Sequence, residues 1–198
     1  MTIRPFTVTI PEAEIADLKQ RLARTRWPAT ETVPDWSQGV RVENARSLVD
    51  YWQHGYDWRR LESDLNRHPQ FLTELDGLDI HFVHVRSRNP GTLPLLLTHG
   101  WPGSNLDFLG LIGPLTDPVS FGGDAADSFD VVIPSLPGFG FSQKPRATGW
   151  TAARTAAAWA ELMTRLGYTQ WAAHGGDWGA AVTTALGAAR PPGCSAST

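Results

Sequence analysis

The sequence predicts an α/β fold, a mostly parallel sheet with a β-hairpin at one edge, preceded by a helical wrapping region. Three observations carry this. Apolar residues before position 70 recur only at helical spacing, and the period then changes to that of strands around an Asp76-Gly77 turn. From Leu93 onward, apolar strand runs alternate with helical stripes in the order strand, helix, strand, helix, strand, helix. That alternation is how a parallel sheet is built.

In the first region Pro11 opens a helix with Ile15, Leu18 and Leu22 on one stripe, and Trp27-Pro28 stops it. After a loop containing Pro34 and Gly39, Val42, Ala45, Val49 and Trp52 mark a second helix. Asp57 caps a third that carries Trp58, Leu61 and Leu65. Each helix has a single apolar face and no internal repeat is present, so these helices are expected to cover another part of the fold. Gln70–Leu75 and Leu78–Arg86 then flank Asp76-Gly77, a dipeptide suited to a tight hairpin because both positions accept positive φ. His81 and His84 of the second strand fall on opposite faces, which argues against a metal pair and for surface or edge histidines.

Leu93–Thr98 is a continuous apolar run, as expected of a strand buried on both faces. It leads into His99-Gly100-Trp101-Pro102-Gly103-Ser104 and a helix through about Ile112. Val131–Ile133 forms the next strand. Pro137-Gly138-Phe139-Gly140-Phe141-Ser142 follows, rich in glycine but without lysine or the GxGxxG spacing of a phosphate cradle, and so reads as a wall of a site. Thr151 caps a helix that Gly167 ends.

Composition bounds the function classes. The 198 residues carry a net charge of −3 with scattered Lys and Arg, which argues against a nucleic-acid partner and suits small neutral ligands. Nine tryptophans point to heavy aromatic packing or apolar cavities. The one cysteine, Cys194, allows no internal disulfide, which fits a cytoplasmic protein. No apolar segment is long enough for a membrane anchor, and neither a metal nor a cofactor is called for.

The chemistry centres on Trp171–Val182, where a short strand ends at His174 and glycines at 175, 176 and 179 surround Asp177-Trp178 before a helix of small residues. This is the layout of a nucleophile elbow, with aspartate in the place usually held by serine. The glycines are expected to relieve collisions between strand, turn and helix. Gly-Gly-Asp-Trp-Gly also fits an ordinary loop with an N-cap aspartate. A carboxylate nucleophile suits a saturated carbon, since attack there gives an ordinary ester, and the electrophile is then an epoxide or an alkyl halide. Hydrolysis of that ester requires donors around the nucleophile's own carboxyl oxygen, and the backbone N–H groups of Trp178 and Trp101 are the candidates.

These segments, together with Arg21–Pro28, Tyr56–Arg59 and His68–Phe71, resemble the microsomal-type, juvenile-hormone-type epoxide hydrolases of the α/β-hydrolase superfamily over nearly the whole chain. The resemblance implies that residues 1–90 form an N-terminal epoxide-hydrolase region and that 91–190 form the first half of the hydrolase core. It implies Asp177 as nucleophile, Trp178 and Trp101 as oxyanion-hole donors, and Trp101, Pro102, Phe139 and Trp178 lining the substrate, a small apolar epoxide. Haloalkane dehalogenases share the aspartate-tryptophan elbow but lack the N-terminal region. In the family, lid tyrosines and a histidine with its acidic partner come after the nucleophile helix. Residues 191–198 show no core pattern, so the chain reads as truncated. It is expected to be inactive as it stands or to act as a fragment that only binds ligand or partner, with self-association through an exposed sheet edge beside the elbow strand. His174 is expected to be a packed strand residue.

Overall fold

The computed structural model describes residues 2–196. It contains two compact units, Val8–Asp64 and a larger one formed by the residues up to Thr7 together with Leu65 onward. The sheet unit therefore begins well before residue 91. Strand pairing is the reason, because the hairpin is built into the same sheet as the strands that follow it.

Within Val8–Asp64 the helices are α1 (Glu12–Ala23), α2 (Val42–Asp50) and most of α3 (Trp58–Asn66), with a π-helical turn at Tyr51–Gly55 continuing α2. Asp57 caps α3 as expected, its Oδ1 accepting the Arg59 N–H at 2.9 Å. At α2 the cap comes from further away. Arg41 gives no side-chain cap, and Glu31 accepts both the Val42 N–H (3.1 Å) and the Arg41 Nε–H (3.0 Å). The Glu31 backbone N–H first, then the Val42 N–H and the Arg41 guanidinium, hold the Glu31 carboxyl below its usual range.

The sheet unit has seven strands among the described residues: β1 (Arg4–Phe6), β2 (Gln70–Leu75), β3 (Leu78–Val85), β4 (Leu93–Thr98), β5 (Phe129–Pro134), β6 (Trp171–Gly175) and β7 (Cys194–Ala196). Their order is β1-β2-β3-β5-β4-β6-β7. The first three run antiparallel, β3 joins β5 antiparallel, and β5, β4, β6 and β7 are mutually parallel. Asp76 and Gly77 take φ of 47° and 79°, the geometry a tight hairpin requires.

Two outcomes differ from expectation. Although residues 191–198 show no core pattern, Cys194–Ala196 pairs with Trp171–Ala173 and the Trp171 N–H donates to the Gly193 carbonyl at 2.8 Å; residues 197 and 198 lie outside the described residues. The outer edge of β6 is thus covered along those residues, and β7 takes its place as the edge strand of the sheet. Nor are the hairpin histidines on the surface: His81 is fully buried and His84 half-buried.

Helices α4 (Leu109–Thr116), α5 (Ala152–Arg165) and α6 (Trp178–Ala189) complete the unit. Trp159, Leu162 and Met163 of α5 and Val182 and Leu186 of α6 pack on Phe82, Leu96, Val132 and Trp171 of the sheet. Trp159 is wholly buried, and its indole N–H donates to Thr98 Oγ1 at 3.1 Å, so the large apolar side chain leaves no orphaned donor. Because β5 and β6 lie on opposite sides of β4, the carboxyl ends of these three strands open onto a crevice at the point where strand order reverses. No helix among the described residues is long and apolar enough to cross a membrane.

Candidate active site

Asp177 stands between β6 and α6 with φ 53° and ψ −120°. A non-glycine residue at that φ is strained, and the strain is sustained by close packing around it. A Cβ on Gly179 would lie 1.9 Å from the Thr98 carbonyl oxygen, and one on Gly175 would lie 2.5 Å from the Gly179 backbone. The first turn of α6 therefore sits directly on the ends of β4 and β6. Gly100 is required from the other side, since a Cβ there would meet Asp177 Cβ and Oδ1 at 2.5 Å. Gly176 has open space around it. Its presence in the turn is not explained by collision, contrary to the expectation for all three elbow glycines.

This close approach brings the backbone after β4 to the carboxylate. The Trp101 N–H donates to Asp177 Oδ1 at 2.8 Å. Asp177 makes no side-chain capping bond to α6, so the N-cap reading of Gly-Gly-Asp-Trp-Gly does not describe it. The Trp101 amide first, and the Trp178 amide second, hold the Asp177 carboxyl below its usual range. An exposed carboxylate that stays ionised and is gripped through one oxygen leaves the other free to attack.

Beside it lies a cavity of about 460 Å³, walled by Leu136, Pro137 and Phe139 after β5, Trp150 and Thr151 before α5, and Trp178. Of the four expected lining residues, Phe139 and Trp178 are on this wall. Trp101 and Pro102 are exposed and stand outside it. No acidic or basic side chain lines the cavity.

Two buried histidines hold the surrounding loops. His99 Nε2 accepts the Leu136 N–H at 3.0 Å. Its proton is therefore on Nδ1, 3.1 Å from the Gly100 carbonyl oxygen. Burial pushes this imidazole below its usual pKa. The ring thus ties the loop after β4 to the cavity wall. His81 donates from Nε2 to Gln70 Oε1 and accepts the Ser135 hydroxyl at Nδ1, both at 3.0 Å, while its backbone N–H donates to Ser142 Oγ. Burial lowers its pKa to about 4. The ring nitrogens of both histidines are bonded to groups other than Asp177. His174 is exposed, not packed. No metal-type cluster of His, Cys, Asp or Glu occurs among the described residues.

Sequence reasoning missed the roles of Gly100, His99 and His81. The apolar–polar alternation of the second hairpin strand gave no sign that β1 and the Ser135–Ser142 loop would close over His81. Gly100 had a readable signal in the small residue between His99 and Trp101, but its collision partner is 77 residues away.

A strand-turn-helix elbow at the reversal point of a mainly parallel sheet, facing a backbone donor at the end of the neighbouring strand, defines an α/β hydrolase with an aspartate at the nucleophile position. Comparison with known proteins agrees. The family described as epoxide hydrolase N terminus matches residues 3–108, and the alpha/beta hydrolase fold family matches residues 94–198. The chain is 60% identical over 191 residues to a "Putative epoxide hydrolase" of Stigmatella aurantiaca, covering 96% of this chain and 43% of that protein. It is 41% identical to "Epoxide hydrolase 1" of Oryctolagus cuniculus, covering 92% and 41%. The crystal structure of juvenile hormone epoxide hydrolase from the silkworm Bombyx mori superposes with a TM-score of 0.87 at 34% identity, over 98% of this chain and 46% of that one. The chain belongs to the epoxide hydrolase family of the α/β hydrolases, and it spans less than half the length of these relatives.

Proposed function

We propose that this chain carries the nucleophilic half of epoxide hydrolysis on small apolar epoxides, in the cytoplasm. The observation that carries the reading is the 2.8 Å bond from the Trp101 N–H to Asp177 Oδ1 at a strained elbow. The free oxygen of Asp177 attacks a ring carbon, the ring C–O bond breaks, and the released alkoxide takes a proton from water, leaving a hydroxyalkyl ester on Asp177 and a hydroxide in solvent. Water then adds to the Asp177 carbonyl carbon. The carboxyl oxygen becomes an oxyanion facing the Trp101 and Trp178 amides, and its collapse frees the diol. The uncharged cavity wall favours neutral apolar substituents.

The second step needs a base for water. His81 and His99 are held in hydrogen bonds inside the fold, His84 is bonded to Tyr168, and His174, though exposed, lies within β6 ahead of the elbow. We therefore propose that the 198-residue chain forms the ester and hydrolyses it slowly, since absence of such a base typically costs about 10²–10⁴ in rate.

The test is a quenched reaction with styrene oxide, analysed by intact and peptide mass spectrometry. The expected product is one adduct per chain on the peptide containing Asp177, absent in Asp177→Ala, with no sustained diol release. An adduct elsewhere that survives Asp177→Ala overturns the nucleophile, and steady multiple turnover overturns the slow second step.

A further inference from the structure

The cavity wall at Trp150 is held from outside. The Arg154 guanidinium carbon lies 4.5 Å from the centre of the Trp150 indole, and the indole itself lines the cavity. Arg154 is in turn fixed by Asp76, whose Oδ2 accepts its Nε–H at 2.6 Å. Asp76 belongs to the β2–β3 turn, 78 residues away in sequence. Its backbone, at φ 47°, is set by the hairpin and so gives the guanidinium a rigid anchor. Trp150 also packs against the core from within, but its backbone lies outside regular structure. Gly149 at φ 103° precedes it, and α5 begins only after Thr151.

From this arrangement we propose that Arg154 is a specificity-determining positioning residue: anchored by Asp76, it holds the Trp150 indole as a fixed wall that limits the bulk of the ligand group entering the cavity. The inference rests on the cavity being the substrate site proposed above. A guanidinium on one face of an aromatic ring is attracted to it and resists its rotation. With the guanidinium gone, the indole regains rotamers that enlarge the cavity, so bulky ligands gain relative to small ones.

Asp76→Asn is the cleanest variant, because asparagine tolerates positive φ and Asn-Gly is itself a preferred hairpin turn, so the fold is kept while the ion pair is removed. Arg154→Met removes the cation, and Arg154→Lys retains a charge able to lie over the ring. Equilibrium binding of two neutral diols, 1-phenylethane-1,2-diol and 1,2-diphenylethane-1,2-diol, is followed by tryptophan fluorescence on the 198-residue chain.

The affinity ratio of the diphenyl to the monophenyl diol is expected to rise by about threefold or more in Asp76→Asn and Arg154→Met, the scale of one exposed cation–π contact, and to stay near wild type in Arg154→Lys. A purely structural role would weaken both diols alike. An unchanged ratio in Asp76→Asn and Arg154→Met overturns the inference, and so does wild-type protein that binds neither diol. A shifted ratio in a protein that forms no ester on Asp177 would instead support the wall and overturn the nucleophile.

Discussion

Val8–Asp64 and the sheet unit reach order by different means. The sheet unit buries whole side chains: Trp159, Phe82, Leu96, Leu162 and Met163 have no exposed surface. Val8–Asp64 buries only Val8, Ile15 and Val42 to a comparable degree, and leaves Trp36, Val40, Leu48 and Tyr51 largely exposed. Its links are polar, as in the Arg59 guanidinium, which reaches the Ile10 carbonyl, Glu62 and Glu12. Apolar burial is insensitive to salt and punishes errors of shape, whereas exposed ion pairs are screened and forgiving. The site belongs to the shape-determined unit, where a carboxylate and an amide from the turns after two different strands are held 2.8 Å apart.

The largest effect is expected where that shape is tightest. Gly179→Ala places a Cβ 1.9 Å from a backbone oxygen, which only movement of α6 or β4 can relieve, and should cost about 3 kcal/mol or more of unfolding free energy. Gly176→Ala, one residue before Asp177 and with nothing within 4 Å of the added Cβ, should change it by less than about 0.5 kcal/mol. Urea denaturation of both variants checks the pair. Equal losses would mean that close packing does not decide which elbow glycines are needed.

That contrast also shows what a sequence makes legible. The parallel strands, the hairpin at Asp76-Gly77 and the elbow around Asp177 were readable because local period and turn chemistry specify them. The site was readable to the extent that one turn encodes it. Gly100 against Asp177, His99 against Leu136 and Arg154 on Trp150 were not, because each is a meeting of segments whose approach is set by strand order. The hairpin histidines illustrate the point. Alternation placed His81 and His84 on opposite faces correctly, but whether a face is covered depends on β1, the loop after β5 and Tyr168. The strand Cys194–Ala196 was missed because so short a piece carries no period of its own.

A second effect is expected in acid. His81 is neutral in the folded chain, with a pKa lowered to about 4 from 6.5 by burial, and His84 is lowered to about 4 in the same way. The unfolded chain takes up protons first as pH falls. The stability contributed by each neutral histidine is therefore complete above pH ~6.5 and declines from there toward pH ~4, by up to about 1.4 kcal/mol per pH unit per group. Denaturation of the wild type between pH 7 and 4.5 should show this slope, and His81→Gln should reduce it. Both of these histidines belong to β3 of the sheet unit. Acid loss should accordingly be read first in amide protection of β3 and β5, and equal loss in α1 and α2 would break the contrast between the units.

The smallest effect is expected in Val8–Asp64 itself. Arg59→Lys keeps the charge but cannot reproduce a fork that serves the Ile10 carbonyl, Glu62 and Glu12 together. Glu62 also accepts the Ile10 N–H at 3.2 Å, so a loosened Glu62 should be felt at that amide. Hydrogen exchange at Ile10 is expected to quicken by roughly twofold to fivefold, as suits exposed ion pairs. In the wild type, 1 M NaCl should act in the same direction, because it shortens the screening length to about 3 Å. Under the same salt the amides of β4 and β6 should keep their protection, since apolar packing holds them. Salt-driven loss in β4 and β6 as large as that at Ile10 would show that the two units are not stabilised by different forces. An Ile10 amide indifferent to both the substitution and the salt would remove Arg59 from the account of how Val8–Asp64 is tied together.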